Sequence, residues 1–126
     1  MAYRILVVDD EPDARDLLDY TLRRAGHHVD SVSNGRQALE LFAENSYEYD
    51  VILTDVRMPG VTGEDLYRRI NREWPHLARR VAFVTASSPS DVFLDEHGGR
   101  PIPLLTKPYT YERLLRLVEG VVAYDT

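Results

Sequence analysis

The chain has no cysteine, which excludes disulfides, zinc-thiolate sites and thiol catalysis and suits a reducing compartment. It also lacks any apolar run near the ~20 residues that span a bilayer. Met1 leads straight into Ile5-Leu6-Val7-Val8 without a secretory pattern, so the expected location is the cytoplasm, away from the membrane. Positive charge is in deficit as well: 15 Lys and Arg stand against 21 Asp and Glu, for a net charge of -6. Such a balance speaks against direct contact with nucleic acid, whose affinity comes mainly from clustered cations. The pairs Arg23-Arg24, Arg68-Arg69 and Arg79-Arg80 read as solvated helix-end charges. Repeats, low-complexity tracts and linkers are missing too, and a single domain over residues 1–126 is the expectation.

What is present is an alternation of short apolar runs with helical periodicity, the pattern of βα units on a parallel sheet. The runs are Ile5–Val8, Val51–Leu53, Val81–Val84 and Ile102–Leu105, whose lack of polar alternation predicts strands covered on both faces. His28–Val32 alternates and predicts an edge strand. Pro103 has no N–H to give, so its strand belongs at the other edge. The first helix follows Pro12, carries Ala14, Leu17, Leu18, Thr21, Leu22 and Ala25 inward, and stops at Gly26. The second is capped by Asn34 with Gln37 three residues on, and buries Ala38, Leu41 and Phe42. Thr62 or Gly63 opens a third, with Leu66, Tyr67, Ile70 and Trp74 inward and Pro75 closing it. A fourth starts at Ser88-Pro89 and ends at Gly98-Gly99, and a fifth runs from about Thr110 to Val122 with Leu114, Leu115, Val118 and Val122 as its stripe.

Five βα units give an α/β, doubly wound (βα)5 three-layer sandwich of the flavodoxin-like kind. With the second and fifth strands at the edges, the parallel order is 2-1-3-4-5, and its ligand crevice opens at the carboxyl ends of the first and third strands. The residues at that rim are acidic. Asp9 and Asp10 follow the first strand and Asp55 follows the third. Close carboxylates repel one another unless a hard cation neutralises them, and an all-oxygen donor set without His or Cys points to Mg²⁺ or Mn²⁺. Alone, Asp9-Asp10 also reads as a helix N-terminal cap. Thr85 and Lys107 end the fourth and fifth strands, adding a hydroxyl and an ammonium to the same rim.

Those residues carry a resemblance. Leu6-Val7-Val8-Asp9-Asp10-Glu11-Pro12, Leu53-Thr54-Asp55-Val56-Arg57-Met58-Pro59-Gly60 with Gly63, Thr85-Ala86 and Lys107-Pro108 resemble, in order and spacing, the receiver domains of two-component response regulators, including the chemotaxis regulators. The resemblance implies that Asp55 is the phosphoacceptor, that Asp10, Asp9, Asp55 and the Arg57 backbone carbonyl serve the metal, and that Thr85 and Lys107 hold phosphoryl oxygens. It implies a cis bond at Lys107-Pro108, against the alternative of a trans Pro opening the last helix. The phosphoryl donor would be the phosphohistidine of a sensor histidine kinase or a histidine phosphotransfer domain, and the reaction a signal rather than turnover of a substrate. Two departures stand out. Leu104 occupies a position that is Tyr or Phe in many receivers, which shifts the expected switch to Thr85 and the loop from Ala86 to Ser90. The run Gly98-Gly99-Arg100-Pro101-Ile102-Pro103 resembles receivers attached to hybrid sensor kinases.

Competing readings fit less well. A haloacid-dehalogenase-type phosphatase also uses a rim Asp and Mg²⁺, but it needs Asp-x-Asp where this chain has Asp9-Asp10. A flavodoxin needs Ser, Thr and Gly at its first phosphate loop, where Asp9-Asp10-Glu11 would repel phosphate. His27, His28, His76 and His97 lack a neighbouring nucleotide motif and give no sign of kinase activity.

Overall fold

A computed structural model of the chain describes residues 2–44, 49–86 and 102–125. Its elements are β1 (Arg4–Val8), α1 (Pro12–Arg24), β2 (His28–Val32), α2 (Gly35–Glu44), β3 (Val51–Thr54), α3 (Gly63–Glu73), α4 (Pro75–Ala78), β4 (Val81–Thr85), β5 (Leu104–Thr106) and α5 (Tyr111–Asp125). The strands form one parallel sheet in the order β2-β1-β3-β4-β5, as the sequence predicts.

The unbroken apolar strands conceal a period of two, because successive side chains leave opposite faces of the sheet. Ile5, Val7, Val51, Leu53, Ala82 and Val84 pack with Leu18 and Leu22 of α1 and Leu114, Val118 and Val121 of α5. Leu6, Val8, Ile52, Val81 and Phe83 pack with Ala38 and Phe42 of α2 and Leu66, Tyr67 and Ile70 of α3. Two cores back to back thus fix which helices lie on which face.

The helix ends follow local chemistry. Pro12 opens α1, and Gly26, at φ 98°, takes the left-handed turn after its end that a side chain would disfavour. Asn34 Oδ1 accepts from the Gln37 N–H at 2.8 Å while Gln37 Oε1 accepts from Ser33, so the expected cap of α2 is present but reaches back one residue further. Thr62 caps α3 in a reciprocal pair with Asp65.

Several expectations need correction. Leu17 is 56% exposed rather than core, since α1 buries only a narrow stripe. Pro75 does close α3, but it also opens the short α4, where its missing N–H costs nothing. In α5 the inward positions are Leu114, Val118 and Val121, with Val122 and Leu117 at the margin. The last strand starts at Leu104, two residues later than expected, although the Pro103 carbonyl still accepts from the Phe83 N–H at 2.8 Å. Arg23 and Arg80 do more than meet water: they donate to the Val29 and Tyr49 carbonyls. The expected helix from Ser88-Pro89 to Gly98-Gly99, the loop to Ser90 and His97 lie outside the described residues.

Gly63 sits where α3 meets the loop after β3. A Cβ there would stand 2.2 Å from the Asp55 carbonyl oxygen and 2.9 Å from Val56 Cα, both backbone atoms that no rotamer change can move. Gly120 of α5 would meet nothing within 4 Å and has no positive φ. Gly63→Ala should therefore destabilise by about 3 kcal/mol, the upper part of the range for forced overpacking. Gly120→Ala should stabilise by about 0.5–1 kcal/mol through helix propensity. Urea unfolding followed by the fluorescence of Trp74 checks both, and equal midpoints for the two variants would contradict the close approach.

Candidate phosphoacceptor and metal site

Register places the acids. Val8 of β1 pairs with Thr54 of β3, so Asp9 and Asp55 are the next residues of neighbouring strands. The Asp55 N–H donates to the Val8 carbonyl at 3.0 Å, which keeps the ladder closed up to the acid. By the same parity as Val7, Leu53 and Leu105, the side chains of Asp9, Asp55 and Lys107 all project to the α1/α5 side of the sheet. Asp10 lies in the turn and is exposed, Asp55 is half-buried and Asp9 fully buried. A carboxylate oxygen from each of Asp9, Asp10 and Asp55 falls within 4.8 Å of the others.

The structure shows that the paired acids do not cap α1. Glu11, not Asp9 or Asp10, caps α1, accepting from the Asp13 and Ala14 N–H groups. The capping role left open by the sequence is therefore filled, and Asp10 is available to a ligand. Asp9 is held from all sides: its N–H donates to the Val32 carbonyl at 3.2 Å, its Oδ1 accepts from the Glu11 N–H at 3.0 Å, and its carbonyl accepts from Arg15 Nη1 at 3.0 Å.

Lys107 closes the cluster. Its Nζ lies 2.9 Å from Asp9 Oδ2 and 3.5 Å from Asp55 Oδ2. It is the sole lysine of the chain, all other strong cations being Arg. Burial works against its ammonium, but the hydrogen bond and charge of Asp9, and then the charge of Asp55, outweigh that and hold its pKa above the ordinary lysine value. The Lys107 N–H donates to the Thr85 carbonyl at 2.9 Å, and Lys107-Pro108 is cis, as the resemblance implies. Burial beside this group raises the pKa of the Tyr109 hydroxyl, opposed by the charge of Lys107.

Two sequence expectations are met only as placement. Thr85 ends β4, buried, at the same rim, and is tied to Lys107 through its backbone. The Arg57 N–H donates to Asp55 Oδ1 at 3.3 Å, so this loop residue orients the Asp55 carboxylate, while its side chain is exposed. Arg15 escaped the sequence reading. The available signal was its place one turn into α1: helical side chains lean toward the N-terminus, so a long donor there reaches back over the turn.

The comparisons agree with this geometry. A family model for the response regulator receiver domain matches residues 5–119. The chain belongs to that family. It is 37% identical over 115 residues to the response regulator protein PilR of Pseudomonas aeruginosa, an alignment covering 91% of this chain and 25% of PilR. The chain therefore spans about a quarter of that relative. A response regulator receiver domain protein from Clostridium thermocellum superposes with a TM-score of 0.83 at 30% identity, covering 98% of this chain and 96% of that one. The response regulator TrrA of Thermotoga maritima, solved in complex with Mg(2+)-BeF, gives 0.75 at 30% identity, with 96% and 99% covered. This receiver domain of two-component signalling carries an acid cluster suited to a divalent cation, and among the described residues no helix is long and apolar enough to cross a membrane.

Breaking the Lys107–Asp9 pair from one side would strand a buried carboxylate. Lys107→Met should cost about 2–3 kcal/mol without metal, less than a fully buried pair because the ammonium is partly exposed. Because the folded pKa of Lys107 is raised, its contribution is complete below the ordinary lysine pKa and fades as pH rises through the raised value. The single lysine makes this directly measurable: ¹³C-dimethylated Lys107 should titrate above an ordinary lysine in wild type and lower in Asp9→Asn. Identical titration in both would remove the pair as its cause.

Proposed function

We propose that Asp55 is the phosphoacceptor of a Mg²⁺-dependent His-Asp phosphorelay step. The observation that carries this reading is the half-buried Asp55 carboxylate, flanked by two further acids and by Lys107. Its Oδ1 is oriented by the Arg57 N–H and its Oδ2 faces the ammonium. Asp9, Asp10, Asp55 and the Arg57 carbonyl are the proposed metal ligands, a donor set of hard oxygens that fits Mg²⁺ and also admits Mn²⁺. The bound cation would spread the charge that builds on the three equatorial phosphoryl oxygens.

The remaining work falls to the chain. An Asp55 oxygen attacks phosphorus in line, the P–O bond forms as the P–N bond to the donor imidazole breaks, and the imidazole leaves with a proton from solvent. Lys107 then leaves Asp9 or Asp55 to hold a phosphoryl oxygen, and the Thr85 hydroxyl takes another. The donor is a phosphohistidine of a sensor kinase or a phosphotransfer protein, and the chain catalyses only its own phosphorylation and dephosphorylation. Its action is cytoplasmic, as a single receiver unit over residues 1–126. The net charge of -6 favours signalling through protein contacts over direct nucleic-acid binding by this unit.

Incubation with acetyl phosphate and Mg²⁺ should add one phosphoryl mass to the wild type and none to Asp55→Asn. Stoichiometric labelling of the Asn variant would move the acceptor elsewhere. Mg²⁺ alone should raise the melting temperature, because it binds the folded acid cluster and relieves its repulsion. Asp10→Ala should lose most of that rise, whereas an unaltered Mg²⁺ titration in this variant would take Asp10 out of the ligand set.

A further inference from the structure

We infer that Arg15 is a positioning residue for the metal site, acting through the backbone of Asp9 rather than through its charge. This deepens the proposed function and rests on the Mg²⁺ reading given there. The starting point is a link between a side chain of α1 and the peptide that joins the two proposed metal acids. Arg15 Nη1 donates to the Asp9 carbonyl at 3.0 Å. That carbonyl belongs to the Asp9–Asp10 peptide unit, a rigid plane whose orientation sets the direction in which the Asp10 Cα–Cβ bond leaves the chain.

The rest of Asp9 is already fixed, by Val32 on its N–H, by the Glu11 N–H on Oδ1 and by Lys107 on Oδ2. Asp10 has no comparable restraint within the turn: it is exposed, and Glu11 rather than Asp10 caps the helix. The plane of the peptide before it is therefore the principal control on where its carboxylate points. Arg15 is well placed to exert that control, because its backbone N–H makes the first hydrogen bond of α1, to Glu11, at 2.9 Å. A rigid helical turn and the guanidinium thus grip the β1–α1 turn from its two ends.

Mg²⁺ demands near-ideal octahedral geometry at short range, so a small rotation of one ligand matters. Groups that orient ligands typically affect metal affinity by about 10–100-fold. Charge alone would act in the opposite sense, since a guanidinium beside a dication site repels the ion. The two accounts therefore predict different signs for the same variant.

Calorimetric titration of Mg²⁺ into wild type, Arg15→Ala, Arg15→Lys and Asp10→Ala tests this. Arg15→Ala should weaken Mg²⁺ binding about tenfold, and Arg15→Lys, which keeps a donor for the carbonyl, should recover most of the loss. In acetyl phosphate labelling, saturating Mg²⁺ should restore most of the Arg15→Ala rate, a shift in metal requirement rather than in the limiting rate. Tighter or unchanged Mg²⁺ binding in Arg15→Ala overturns the inference, as does a loss confined to thermal stability or a Lys variant no better than Ala. Failure of the wild type to bind Mg²⁺ overturns the metal reading and this inference with it. Wild-type binding abolished by Asp10→Ala but indifferent to Arg15 overturns this inference alone.

Discussion

The site depends on one ion pair, between Asp9 at the end of the first strand and Lys107 after the last, 98 residues apart in sequence. Asp9 is fully buried, and a charge at that depth persists only if it is paired and hydrogen-bonded. Lys107 supplies the pairing, and the Glu11 N–H supplies the hydrogen bond. The ammonium can reach Asp9 only if β1, β3, β4 and β5 end at one level, so the pair constrains the register of the whole sheet. The alternation of the strands does the rest, sending Asp9, Asp55 and Lys107 to the same face. Asp55, the proposed phosphoacceptor, thereby stands beside the ammonium that pairs with the buried acid, without any element devoted to it.

A second constraint links that rim to the opposite layer. The Gly63 N–H donates to the Val56 carbonyl at 2.8 Å, and the missing Cβ lets α3 lie against the backbone of Asp55 and Val56. Thr62 and Asp65 fix the start of the helix at the same point. The Asp55 loop thus lies in direct backbone contact with a helix whose Leu66, Tyr67 and Ile70 are wholly buried. The glycine is readable in the sequence as part of a motif, but its reason is an approach between backbones distant from any side-chain pattern.

The strands, their order and the rim residues were legible because each depends on local features: short apolar runs, a proline at an edge, charges immediately after a strand. The departures came where tertiary packing chose among equivalent local options. Leu17 and Leu18 of α1 have the same hydrophobicity, and the rotation of the helix about its own axis decides that Leu18 is covered. Pro75 signals an end or a beginning equally, and here it serves both. Asp9 and Asp10 were compatible with capping until Glu11 was found to cap. Arg15 was legible only as a long donor one turn into α1, since its partner is a backbone carbonyl with no side-chain signature. The resemblance supplied the cis bond at Pro108, which the residues alone left open, and it implies the proposed division of roles among the acids.

The choice of lysine at position 107 follows from the chemistry of the rim. Arginine fills every other strong cationic position of the chain; among them Arg23, Arg68 and Arg69 pair with Asp19, Asp65 and Glu73, and Arg23, Arg80 and Arg15 donate to the Val29, Tyr49 and Asp9 carbonyls. Those are fixed contacts, for which a rigid planar fork is well suited. The group beside Asp9 and Asp55 has a different task, because the proposed phosphoryl group must be able to draw it from one oxygen to another. An ammonium is a compact charge with three rotatable donors on a flexible stem, so exchanging a carboxylate for a phosphoryl oxygen requires little more than rotation. In the resting arrangement Asp9 and Asp55 hold its pKa up and keep it charged. A guanidinium held bidentate by the buried Asp9 would resist the move, and its bulk would compete with the phosphoryl group for the space beside Asp55. The same pair that stabilises the fold at rest is therefore built from the one cation able to let go of it.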